Sequence, residues 1–172
     1  MKNLILTLLI SLSTLLQAQT KSKNLKIKYT LPAGWNAEEF GGKAPWEDAG
    51  NTFCHCAGAF FYRQHKDGKM NVVIYPSTQA GLDSTKRNFV GTLHFEDVVK
   101  YDNVRSNGMS LQRKKSNFTD SKTGAKSFEA FRYFTKVEDH FYIIYAWQES
   151  MQPLNSTNER ELLQMVNAIE PN

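Results

Sequence analysis

The stretch from Ala125 to Gln148 constrains the fold more than any other part of the chain. It reads as two long antiparallel strands, Ala125–Lys136 and Phe141–Gln148, joined by the turn Val137-Glu138-Asp139-His140. Phe141, Ile143, Tyr145 and Trp147 alternate with Tyr142, Ile144 and Ala146. Period-two alternation of aromatic and β-branched residues is the mark of a strand. Both sets are apolar, which predicts a central strand covered on both faces. In the preceding strand Phe131 and Tyr133 face one way, and Phe128, Ala130 and Phe134 the other. Arg132 interrupts the second set. Two readings compete for it: a side chain that snorkels to water at the sheet rim, or a cation that holds a ligand inside a concave face.

A helix is expected directly after this pair, from about Ser156 to Ile169. Ser156 and Glu159 have the spacing of a capping box. Leu162, Val166 and Ile169 fall on one face with Leu163 beside them, and Pro171 follows as a breaker. This helix is scaffold. Earlier in the chain, Leu25, Ile27, Tyr29 and Leu31 alternate with Lys26, Lys28 and Thr30, as on a sheet edge. Pro32 stops that strand and Ala33-Gly34 makes a turn. Residues 36–50 read as a long Gly- and acid-rich loop, and loops of that length are usually functional or mobile. Phe53–Arg63 and Met70–Pro76 form a hairpin around Asp67-Gly68. A helix capped by Asp83 or Ser84 is predicted over Gly81–His94, with Leu82, Phe89, Val90 and Leu93 on one face. Short strands at Val98–Val104 and Met109–Phe118 and a polar turn at Thr119–Gly124 complete the pattern. The expected fold class is α+β: an antiparallel sheet packed with one mid-chain helix and one C-terminal helix.

Residues 1–18 stand apart. Lys2, the apolar run Leu4–Leu16 and the small residue Ala18 make the pattern of a secretory signal peptide, resembling the leaders of exported Gram-negative bacterial proteins. No Cys follows the cut, so no lipid anchor is indicated. Residues 19–172 are then expected to form one α+β domain, periplasmic or secreted, without a stable membrane span. The net charge of +4 falls by one without Lys2 and demands no polyanionic partner. The basic run Arg113-Lys114-Lys115 lacks the aromatic accompaniment of a nucleic-acid motif, so none is expected as a partner.

The sequence Leu31-Pro32-Ala33-Gly34-Trp35 after an edge strand resembles the opening of PsbP-like domains. The closing aromatic strand pair and the terminal helix running into Val166-Asn167-Ala168-Ile169 are similar too. The resemblance covers most of residues 19–172 by element order. It implies an antiparallel sheet between helices, and a binding, assembly or accessory role without catalytic residues to carry across.

The residues themselves carry little chemistry. No phosphate loop, zincin motif or nucleophile elbow is present. Cys54 and Cys56 flank His55 on a predicted strand, so both thiols share one face and the imidazole points away. Three readings remain open: buried core thiols, a strained local disulfide, or two ligands for copper or zinc completed by other histidines. The acidic pairs Glu38-Glu39 and Glu47-Asp48 lack calcium-loop spacing. The leading expectation is a non-enzymatic exported binding or accessory protein that neutralises or assembles a protein partner or holds a small ligand, with no cofactor. Its contacts would be Trp35, Phe40, Trp46 and Arg132. The alternatives are a metal or thiol-redox protein using Cys54, His55 and Cys56, and a hydrolase without a recognisable motif.

Overall fold

The predicted strand pair is the middle of a long antiparallel sheet. The computed structural model describes residues 18–22, 24–41, 57–81, 89–90, 93–106, 109–120, 126–150 and 153–172. The strands are β1 (Thr20–Ser22), β2 (Ile27–Tyr29), β3 (Asn36–Phe40), β4 (Gly58–Arg63), β5 (Met70–Ser77), β6 (Phe89–Val90), β7 (Leu93–Ser106), β8 (Met109–Asp120), β9 (Lys126–Val137), β10 (His140–Gln148) and β11 (Ile169–Pro171). Among the described residues one full helix, α1 (Ser156–Asn167), precedes β11. The large sheet runs β3-β4-β5-β10-β9-β8-β7-β6, and a small one runs β1-β2-β11. The fold is α+β, and β10 sits between β5 and β9 as the two-sided apolar pattern requires.

Alternation along β10 divides the large sheet into two faces. Tyr142, Ile144 and Ala146 join Phe61, Val72, Ile74, Phe131 and Tyr133 in the main core. Leu162, Met165 and Val166 of α1 pack into the same core, each fully buried. Burying these three side chains supplies about 5–9 kcal/mol before entropy. The small sheet adds Ile27, Tyr29 and Ile169. On the opposite face Val73, Ala130, Phe134, Ile143 and Tyr145 form a second cluster.

Several local expectations are corrected. Residues 36–40, read as the start of a loop, are strand β3, because they pair with β4 from Asn36↔Tyr62 to Phe40↔Gly58. A helical turn does occur at 79–81, and residues 82–88 of the predicted mid-chain helix lie outside the described residues. Phe89, Val90, Leu93 and His94, however, are strand rather than helix: Phe89 pairs with His94, and β7 then runs the full length of β8. Cross-strand pairing, of β6 with β7 and of β7 with β8, overrides the helical spacing of these four residues. The helix start also shifts by one. Asn155 is the N-cap, its side chain accepting from the backbone N–H of Thr157 and Asn158, so Ser156 lies inside the helix. Ile169 and Pro171 belong to β11, paired with Tyr29 and Ile27.

Other readings hold. The Pro32–Trp35 turn closes through the Trp35 N–H and the Pro32 carbonyl at 3.1 Å, with Gly34 at φ 81°. The Asp67-Gly68 hairpin sets the register Arg63↔Met70 and Phe60↔Val73, with Gly68 at φ 118°.

Candidate functional site

The second face of the large sheet is built as cross-strand rows. One row runs Glu38, Phe60, Val73, Tyr145, Arg132 across β3, β4, β5, β10 and β9. A second runs Asn36, Tyr62, Asn71, Trp147, Ala130. On the other side of the first row stand Tyr75, Ile143 and Phe134, with Phe40 beyond them on β3. Directly opposite side chains on one face are close enough to pack, and large rings also reach diagonal neighbours.

The rings form a connected surface. Phe40 meets Tyr75 edge-on at 5.7 Å, and Tyr75 meets Tyr145 edge-on at 6.1 Å. Phe60 stacks on Tyr62 at 5.5 Å and lies 6.3 Å from Trp147. Gly58 makes the first contact available: a Cβ there would collide with the Phe40 ring and the Ile74 carbonyl. Phe40, Phe60, Tyr62, Tyr75, Phe141 and Trp147 are all half-buried, so each ring keeps an accessible part.

Cations sit at intervals on this apolar surface. The Lys69 ammonium lies 5.1 Å from the Phe60 ring centre and 4.7 Å from that of Tyr62. Lys136 lies 5.3 Å over Phe141. Arg132, with no exposed surface, lies 6.0 Å from the Phe134 ring. The quadrupole of each ring attracts the charge. At the β3 end the Tyr62 hydroxyl donates to Glu38 at 2.9 Å. That hydrogen bond, then the carboxylate charge, pushes the Tyr62 phenol up from its ordinary value. Burial alone pushes up Tyr75.

The structure therefore brings together two of the expected contact residues, Phe40 and Arg132, on one face. Four strand spacings separate them, about 19 Å. The rim reading of Arg132 is corrected: its side chain is buried within the sheet face rather than snorkelling. Trp35 is also corrected. It is 5% exposed in the main core, on the other side of the sheet, and has no free ring to offer a partner. Trp46, Cys54, His55 and Cys56 lie outside the described residues. Sequence reasoning missed Phe60, Tyr62, Lys69, Tyr75 and Trp147 as one group. The hairpin register set by Asp67-Gly68 carried the signal, since it puts Phe60 and Tyr62 on the face of Val73 and Tyr75.

The opposite face is scaffold. Lys115 pairs with Glu129 at 3.6 Å and with Glu159 of α1, and Arg113 lies 5.3 Å over Phe131. Lys115 thus ties the sheet to the helix, and Arg113 packs on a ring of the sheet. Asn158 donates to the Gln148 side chain at 2.8 Å, and Gln148 donates to the Gly68 carbonyl at 3.1 Å, fixing the helix start over the β4–β5 hairpin. Among the described residues no three His, Cys, Asp or Glu side chains are grouped to hold a metal ion. No described helix is long and apolar enough to cross a membrane.

Comparison with known proteins finds the same architecture. The solution structure of cyanobacterial PsbP (CyanoP) from Synechocystis sp. PCC 6803 superposes with a TM-score of 0.53 at 10% identity, over 93% of this chain and 96% of that one. The fold is PsbP-like, as the Pro-x-Gly-Trp turn and the closing elements led us to expect. At that identity the likeness speaks for the fold alone. No family model matches the chain, and no curated protein matches its sequence.

Proposed function

We propose that this PsbP-like fold serves as an exported, non-enzymatic binding or accessory protein, and that its ligand face is the aromatic side of the large sheet. The observation that carries the reading is the run of half-exposed rings Phe40, Phe60, Tyr62, Tyr75 and Trp147 with Lys69 and Lys136 set over it. Rings with an apolar body and a polar rim are what recognition surfaces concentrate. Rigid strands hold them without an ordering cost on binding. Phe40 keeps the contact role its position suggests, while Arg132, with no exposed surface, supports the face from beneath. The leader at residues 1–18 is the basis for a periplasmic or secreted location. The partner is a protein to be neutralised or assembled, or a small ligand.

The test is quantitative capture by the immobilised protein from an extract of its own compartment, with the Phe60→Ala/Trp147→Ala variant alongside. Circular dichroism checks that the variant keeps its fold. Loss of the captured species supports the reading, and unchanged capture removes it. A native mass measured in the same experiment separates the alternative. Two hydrogens missing, or copper or zinc retained, would move the working site to Cys54 and Cys56. Turnover in an activity screen would move it to hydrolysis.

A further inference from the structure

We infer that the outer edge of β3 is a strand-addition site for an extended polypeptide segment carrying adjacent basic residues. This goes beyond the aromatic face, since it uses the backbone of the edge and not the rings.

β3 terminates the eight-stranded sheet and pairs only with β4 among the described strands. Every second residue of such an edge turns its N–H and C=O outward, a template for another strand. Edges are ordinarily guarded by proline, lysine, a bulge or brevity. At the far edge β6 covers only Leu93 and His94, and the rest of β7 is broken by two register shifts between Asp97 and Asp102, the irregularity that guards an edge. The small sheet ends on β11, three residues that include Pro171. Asn36–Phe40 has five residues and a continuous register, with neither proline nor lysine.

What β3 does carry is acid on both faces. Glu38 and Glu39 are adjacent and exposed, so their carboxylates flank the edge from opposite sides. Each is held in place. Glu38 accepts from the Tyr62 hydroxyl at 2.9 Å. Glu39 accepts from the Ser22 hydroxyl at 2.9 Å and the Tyr29 hydroxyl at 3.3 Å. This arrangement selects the occupant. A second copy of β3, added antiparallel in the fully overlapped register, would set Glu38 against its own counterpart, and like charges directly opposite are destabilising. A segment with two consecutive Lys or Arg residues places one cation on each face, against one carboxylate each. The backbone supplies the affinity and the acidic pair supplies the selection.

The experiment uses two fluorescein-labelled peptides, Thr-Val-Thr-Lys-Lys-Thr-Val-Thr and Thr-Val-Thr-Glu-Glu-Thr-Val-Thr, titrated with the purified protein at low salt and read by anisotropy. The Lys-Lys peptide should bind about tenfold more tightly. The Glu38→Gln/Glu39→Gln variant, which keeps hydrogen-bond acceptors at both positions, should erase that difference. N-methylation of alternate amides in the Lys-Lys peptide, on the pairing edge, should abolish binding. Amide exchange of residues 36–40 should slow when the unmethylated peptide is bound. Absence of binding, equal binding of the two peptides, or full binding of both N-methylated registers would overturn the proposal. Exchange of Phe60 and Trp147 should leave this readout unchanged, so it stands or falls apart from the aromatic face.

Discussion

Arg132 and Tyr145 stand directly opposite each other in the β9–β10 register, the first with no exposed surface and the second 8% exposed. A guanidinium at the heart of an aromatic sheet face is held by packing as much as by charge, because its stem and plane fill the space beside Phe134. Arg132→Ala should lower the unfolding free energy by about 3 kcal/mol, read as a shifted urea midpoint with an unchanged slope. Arg132→Lys should recover only part of it, since an ammonium cannot lie flat against a ring.

Tyr142 links the large sheet to the segment before β2. Its hydroxyl donates to the buried Leu25 carbonyl at 2.7 Å. Tyr142→Phe leaves that carbonyl unpartnered at this position and should cost about 1–3 kcal/mol at neutral pH. Burial, reinforced by the charge of Glu138, holds this phenol above its ordinary range. The folded protein therefore keeps the proton at pH values where the unfolded chain has lost it. The stabilisation is complete below pH ~10 and drains away as pH rises toward the folded-state value. Melting temperature plotted from pH 8 to about 11.5 should fall less steeply above pH ~10 in the variant than in the parent. Tyr29 and Tyr75, raised in the same direction, keep the variant's curve from becoming flat.

The cap of α1 distinguishes two neighbouring residues. Asn155 holds the N–H groups of Thr157 and Asn158 at 3.0 and 2.9 Å. Asn155→Ala should cost about 1 kcal/mol and Ser156→Ala no more than a few tenths. Chemical denaturation of both variants decides it, and the reverse order would restore Ser156 as the cap.

Glu138 occupies the two-residue turn between β9 and β10 with φ 52°. Left-handed backbone disfavours glutamate and suits asparagine. Glu138→Asn should raise stability by about 0.5–1 kcal/mol, visible as a higher melting temperature.

The parts of the fold legible in sequence were those fixed by local rules. Alternation through Phe141–Trp147 identified the central strand, and Asp67-Gly68 and Pro32–Trp35 identified two turns, because glycine must take up the positive φ there. The missed parts depend on partners far along the chain. Asn36–Phe40 is exposed, half-buried, exposed, exposed, half-buried, which is no period at all, and only pairing with β4 makes it a strand. Phe89, Val90 and Leu93 carry a helical spacing that the pairing of β6 with β7, and of β7 with β8, overrules. The candidate face was visible only in fragments. Phe40 and Arg132 stood out singly, while their companions needed five strands in register before they became a surface.

The three-stranded sheet has a consequence for how the chain reaches its native state. β2, formed near the start, pairs with β11, formed from residues 169–171, and the entire eight-stranded sheet lies within the loop that this pairing closes. Closing so long a loop is slow and contributes little until the ends meet. The Tyr29–Ile169 pairing therefore acts as a last stitch: a chain still emerging from a ribosome or a translocation pore cannot make it. Until then Ile27 and Ile169 stay uncovered, leaving an interval in which a chaperone has something to hold.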